Sequence, residues 1–114
     1  MMIGLSVPLM FAIAIVFGPA KAGHYVQAEN GKELYLKYGC YQCHGRVGQG
    51  SSAGPRLAPG PMALAALTRY VRQPRGEMPP YTARVVTDQE LADIHVYLQS
   101  IPRPPAIATL PFDR

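Results

Sequence analysis

The sequence predicts a small all-α domain, three to four short helices joined by long irregular loops. Three observations lead there. Apolar residues recur at helical spacing in three separate segments. No run of useful length alternates apolar and polar residues as a strand would. The 11 Gly and 12 Pro among 114 residues demand a large share of loop.

The length allows one small domain. Apolar residues make up 48% and charged ones 16%, which supports a core and excludes a disordered tail. The net charge of +4 is spread thinly, with no Lys/Arg run, so no nucleic-acid partner is expected. Two Cys cannot build a dense disulfide framework. A domain this small needs a staple, and a metal or cofactor is the one left.

Residues 1–17 are almost wholly apolar, and Gly18-Pro19 breaks the run. Ala20-Lys21-Ala22 then offers a small-x-small cleavage site. Residues 1–22 therefore read as an export signal and 23–114 as the mature domain, with a core of about 30–101. Without Lys21 the mature chain carries one positive charge fewer. The alternative is a retained membrane anchor, although the run is shorter than the roughly 20 residues of a spanning helix and contains Pro8.

Asn30 with Glu33 suggests a helix start, giving a first helix over 31–38 that ends at Gly39. Gly and Pro punctuate 45–61 and exclude regular structure there. A loop of that length commonly wraps something. Leu64, Leu67 and Val71 share one face of a helix over 62–72, which Pro74 ends. Thr87 and Glu90 form a capping box, and Leu91, Ile94, Leu98 and Ile101 lie on the stripe behind it with Tyr97 beside them. Pro102 stops that helix, and the proline-rich tail 102–114 is expected at the surface or frayed.

Cys40-Tyr41-Gln42-Cys43-His44 has the spacing of a c-type haem attachment site. Two thiols one helical turn apart can each add to a vinyl group on one porphyrin edge. The next residue, His44, then offers its imidazole to the iron. A dithiol redox pair needs a βαβ context that is absent. A zinc site needs further ligands in a second cluster, also absent. A disulfide across two residues would close only a tiny loop.

A low-spin carrier needs a second axial ligand. Met78 sits in Glu77-Met78-Pro79-Pro80-Tyr81, where the prolines forbid helix and hold an extended loop able to push a thioether inward. Met62 opens an apolar helix, where core packing suits it better. His95 reads as a partly exposed helix residue, and His24 lies at the new terminus.

Together these residues resemble a class I cytochrome c over about 30–101. The features follow the family's order. Gly31 lies in the first helix and C-x-x-C-H spans 40–44. Gly54-Pro55-Arg56-Leu57 is similar to the G-P-x-L loop. Met78-Pro79-Pro80-Tyr81 is similar to the M-P-x-aromatic loop. Asp93-Ile94-His95-Val96-Tyr97-Leu98 is similar to the last-helix pattern, with Val for the usual small residue. The resemblance implies one haem c in a cytochrome c fold, with loops and short helices wrapped around it. It implies Cys40 and Cys43 as thioether links, His44 and Met78 as axial ligands, and Pro55, Leu57 and Tyr81 as further haem contacts. It implies that the Pro55 carbonyl accepts the second imidazole N–H of His44, and that Gly31 and Tyr97 mark the crossing of first and last helices. The chain lacks the Trp often found near a propionate in this family, leaving Arg56, Arg72, Arg75 and Tyr81 as candidates.

The function expected is single-electron transfer outside the cytoplasm, in the periplasm, with no substrate chemistry of its own. A periplasmic dehydrogenase would be the donor and a cytochrome or oxidase the acceptor. The alternatives are a membrane-anchored cytochrome subunit retaining residues 1–17, and a haem enzyme or gas sensor with an open sixth position. Arg46, Arg56, Arg69, Arg72 and Arg75 gather in the middle of the chain, apart from most acidic residues. They suggest a mildly positive docking rim.

Overall fold

Four helices appear where the sequence pattern breaks least: α1 (Pro19–Lys37), α2 (Cys40–His44), α3 (Leu64–Arg72) and α4 (Asp88–Ser100). They belong to a computed structural model that describes residues 19–105. The apolar leader 1–17, Gly18 and the tail from 106 onward lie outside the described residues. Within the described residues there is no strand, only one isolated bridge between Ser51 and Gly54. The all-α expectation holds.

The first helix is longer than the 31–38 expected. Nothing between Ala20 and Lys37 interrupts the helix. Asn30 is thus a mid-helix residue and not a cap. Its carboxamide donates to Asp93 Oδ2 across the domain at 2.7 Å. The C-terminal end falls as expected: Gly39 takes a left-handed φ of 76° and turns the chain straight into α2.

The α1/α4 crossing organises the core. Gly31 is buried against α4. A Cβ there would run into the Asp93 carbonyl and lie 2.9 Å from Tyr97 Cβ. Asp93 is buried on the facing side and accepts from Gln27, Asn30 and Gln89 side chains. Tyr35 packs on Tyr97 with ring centroids 5.5 Å apart. Leu34, Ala58, Leu67, Val71, Val86, Leu91, Ile94 and Leu98 complete the buried cluster.

The capping box at α4 is formed. Glu90 N–H donates to Thr87 Oγ1 at 3.1 Å, and Thr87 N–H donates to Glu90 Oε2 at 2.8 Å. Tyr38 at the end of α1 donates its hydroxyl to Glu90 Oε1 at 2.7 Å. The Thr87 N–H, followed by the Tyr38 hydroxyl, holds the Glu90 carboxyl below its usual range.

Two expectations about α3 and α4 need correction. Met62 is not core: it is 46% exposed and precedes the helix, which starts at Leu64. Pro59-Gly60-Pro61 and the extended Ala63 delay helix formation past it. His95 is not a half-exposed flank residue. It is buried, and its Nε2–H donates to the Met62 carbonyl at 2.8 Å. The two corrections share one cause, since His95 holds Met62 by its backbone and leaves its side chain outside.

Gly31→Ala should force the two helices apart. We expect a loss of about 1–3 kcal/mol, the usual range for overpacking a well-fitted contact. Urea unfolding would show it as a lower midpoint at unchanged slope. An unchanged midpoint would mean that the crossing tolerates a methyl group.

Candidate haem site

α2 is a single turn set between two glycines of positive φ, Gly39 at 76° and Gly45 at 81°. Cys40 and Cys43 stand three residues apart on it. Cys40 is half-buried at the edge of the core, and burial pushes its thiol up to about 11. Cys43 is exposed.

His44 is buried directly behind them. Its Nδ1 lies 2.7 Å from the Pro55 carbonyl. A carbonyl only accepts, so Nδ1 carries the proton and Nε2 keeps its lone pair. Among the described residues the one hydrogen bond of this ring is made by Nδ1. Gly54 permits this approach, since a Cβ there would lie 3.1 Å from His44 Nδ1 and 3.0 Å from the Cys43 carbonyl.

The loop after His44 is held by its own backbone and by two core tyrosines. Gly50 N–H donates to the His44 carbonyl at 2.7 Å, and Leu57 and Ala58 N–H groups both reach the Gly48 carbonyl. Ser51 Oγ donates to the Cys43 carbonyl at 2.6 Å. Tyr35, fully buried, donates its hydroxyl to the Gly45 carbonyl at 2.7 Å. Tyr97 donates to the Arg46 carbonyl at 3.1 Å. The helix crossing therefore reaches the residues next to His44 directly.

The Met78 loop is anchored at its far end. Tyr81 N–H donates to the Val71 carbonyl at 3.0 Å, and the Tyr81 hydroxyl donates to the Tyr38 carbonyl at 2.8 Å. Arg72 donates Nη1 to the Tyr81 carbonyl at 2.8 Å and Nη2 to Asp88 Oδ1 at 2.5 Å. Burial raises the phenol pKa of Tyr35, Tyr81 and Tyr97, which keeps all three as donors.

These contacts change the sequence reading of several side chains. Arg72 and the Tyr81 hydroxyl are occupied by protein partners, whereas Arg56 and Arg75 are exposed. Arg72 also leaves the arginine cluster as a free charge, being paired with Asp88. The tyrosine-to-carbonyl bonds were not anticipated. Their signal was the choice of Tyr over Phe at positions 35, 81 and 97, because a buried phenol requires a partner.

Do these residues suit a haem? Cys40, Tyr41, Leu57, Met78 and Tyr81 all pack on the core while remaining half-open. They offer an apolar rim that a flat macrocycle would cover. His44 presents an oriented imidazole with one unengaged nitrogen. Within the described residues no group of three or more His, Cys, Asp or Glu side chains is arranged to hold a bare metal ion. The donor set fits a thioether-linked porphyrin.

An all-α fold built on C-x-x-C-H defines a small c-type cytochrome. Comparison with known proteins agrees: residues 26–98 match the family model described as cytochrome c oxidase, cbb3-type, subunit III, and the chain belongs to this cytochrome c family. It is similar to cytochrome c-555 of Methylococcus capsulatus, at 30% identity over 76% of this chain and 73% of that protein. It is also similar to the cytochrome c subunit of 4-cresol dehydrogenase (hydroxylating) of Pseudomonas putida, at 34% identity over 92% of this chain and 88% of that subunit. No solved structure matches the chain significantly. The cofactor is covalently bound haem c, and the protein transfers electrons with redox partners. Bound haem supplies a one-electron Fe(II)/Fe(III) couple.

Colour should stay with the polypeptide in acidified organic solvent, and neither Cys40 nor Cys43 should alkylate in the holoprotein. Haem that extracts completely, with both thiols reactive, would contradict thioether attachment.

Proposed function

We propose that the chain is an exported single-haem electron carrier. In this reading Cys40 and Cys43 form the thioether links, and His44 and Met78 are the axial ligands. The observation that carries it is the His44–Pro55 hydrogen bond on the C-x-x-C-H turn. That bond orients the ring, favours the Nδ1–H tautomer and raises the basicity of Nε2 as a ligand. Met78 is the half-buried thioether, and Met62 the exposed one. The His95 nitrogen Nε2 is engaged with a carbonyl, which argues against it as a ligand. Leu57 and Tyr81 would contact the macrocycle from the half-open rim. Thioether plus imidazole ligation in an apolar setting favours a raised potential.

Export would separate residues 1–22 from a mature domain at 23–114, so processing would trim the N-terminal end of α1. Among the described residues no helix is long and apolar enough to cross a membrane. The donor would be a periplasmic dehydrogenase and the acceptor a cytochrome or oxidase. The similarity to a dehydrogenase's cytochrome subunit, over most of both chains, supports the donor class. It equally favours a second reading, a lasting subunit of such a dehydrogenase, with residues 1–17 kept as an anchor if they are not removed. Exposed Cys43 suits either reading, since it brings the attachment point to the surface where a partner docks.

Met78→Ala should abolish the weak sulfur-to-iron band at the red end of the ferric spectrum and lower the potential. Met62→Leu should leave both unchanged. Loss of the band in Met62→Leu alone would mean that the wrong methionine has been chosen.

Arg46, Arg56, Arg69 and Arg75 remain exposed and basic, so a carrier docking on an acidic dehydrogenase should slow as salt rises. The bimolecular electron-transfer rate with the donor, followed from low to high ionic strength, tests this. A rate independent of salt would point instead to an apolar contact or a lasting complex.

A further inference from the structure

The segment bearing Met78 has no regular structure, yet its far end is held on three sides. Tyr81 is fixed through its N–H by Val71, through its carbonyl by Arg72 and through its hydroxyl by Tyr38. Val71 and Arg72 are consecutive residues at the end of α3. Only Pro79 and Pro80 separate Tyr81 from Met78, and each fixes its own φ and offers no N–H. Two residues of stiff chain therefore carry the position of Tyr81 to Met78.

Arg72 is the member of this clamp that joins otherwise separate parts. Its side chain is 20% accessible, and its planar fork reaches the Tyr81 carbonyl with one nitrogen and the first turn of α4, at Asp88, with the other. The Tyr81 hydroxyl closes the arrangement on Tyr38, two residues before Cys40. Tyr38 is in turn bound to Glu90 of the α4 cap. The attachment turn and the methionine loop are thus tied to one hydrogen-bonded ring through α1, α3 and α4.

We propose that Arg72 is a positioning residue for the axial thioether: by fixing Tyr81 it holds Met78 against exchange for an external ligand. This rests on the reading of Met78 as ligand. Arg72 touches no reacting atom and acts only through Tyr81.

The experiment compares ferric holoproteins by titration with imidazole, a competitor for the sixth position, and by the red-end band. Arg72→Leu should bind imidazole about tenfold more tightly and show a weaker band. Tenfold corresponds to ~1.4 kcal/mol, close to the lower end for a hydrogen bond from a charged donor. Arg69→Leu removes the same charge from the exposed face of α3 and should leave both readouts at wild-type values. Arg72→Lys keeps the charge without the fork and should fall between the two. Should Arg72→Leu fail to fold, Tyr81→Phe, which removes only the hydroxyl bond to Tyr38, should raise imidazole affinity in the same direction. Equal effects in Arg69→Leu and Arg72→Leu would reduce the effect to charge and overturn the proposal. Unchanged affinity and band in Arg72→Leu would overturn it as well, and in the unfolded case so would unchanged Tyr81→Phe. Met78→Ala separates the two levels. A band surviving Met78→Ala rejects the ligand assignment, whereas a band lost there but insensitive to Arg72 rejects only the clamp.

Discussion

Close contact between α1 and α4 at Gly31 is the constraint from which the site follows. With no side chain at Gly31, the Asp93 carbonyl can sit against the α1 backbone. That approach lets Asn30 and Gln27 reach the Asp93 carboxylate, and brings Tyr35 and Tyr97 together at ring contact. Those two rings point their hydroxyls at the carbonyls of Gly45 and Arg46. These are the two residues that follow His44. A displacement at the crossing would thus pass through two hydrogen bonds to the backbone that directly follows the imidazole.

On this frame the segments that carry His44 and Met78 are built differently. His44 belongs to a helical turn and is aimed by Pro55, a partner eleven residues away that Gly54 allows to approach. Met78 belongs to no helix. Its placement depends on two prolines and on the bonds that fix Tyr81. The histidine is held by local backbone turns, by the Pro55 carbonyl and by the Tyr35 and Tyr97 hydroxyls on the next two carbonyls, and the methionine segment by side chains that fix Tyr81. Mutational sensitivity should differ accordingly. His44 should respond to the α1/α4 crossing through Tyr35 and Tyr97, and Met78 to Arg72 and Tyr38 through Tyr81.

Much of this was legible in the residues themselves. C-x-x-C-H, the capping box at Thr87 and the apolar stripe of α4 are local patterns, and local patterns survive folding. The start of α1 was misread because Asn30 and Glu33 form a convincing cap on paper. Only the opposing helix reveals that Asn30 is needed by Asp93. Met62 and His95 exchanged expected roles for the same kind of reason. Periodicity tells which face of a helix is apolar, but not that a buried imidazole will capture a carbonyl 33 residues earlier. Arg72 looked like a free charge or a propionate partner until Tyr81 and Asp88 were seen around it. Partners distant in sequence are what a single sequence does not display.

Five of the side-chain hydrogen bonds share one feature that bears on electron transfer. Tyr35, Tyr81, Tyr97, Arg72 and His95 all donate to backbone carbonyls, at Gly45, Tyr38, Arg46, Tyr81 and Met62. All five of those carbonyls lie in segments between helices. No sheet is present among the described residues to satisfy such groups, so helix and core side chains satisfy them instead. A carbonyl bound by a buried donor cannot rotate away without stranding that donor, at a cost of about 1–3 kcal/mol for each. A one-electron couple is fastest when both oxidation states share one geometry, because little then has to move as the charge changes. Donors drawn from the helical core and aimed at loop carbonyls give an irregular chain that stiffness. They do so in the loop that follows His44 and in the segment that carries Met78.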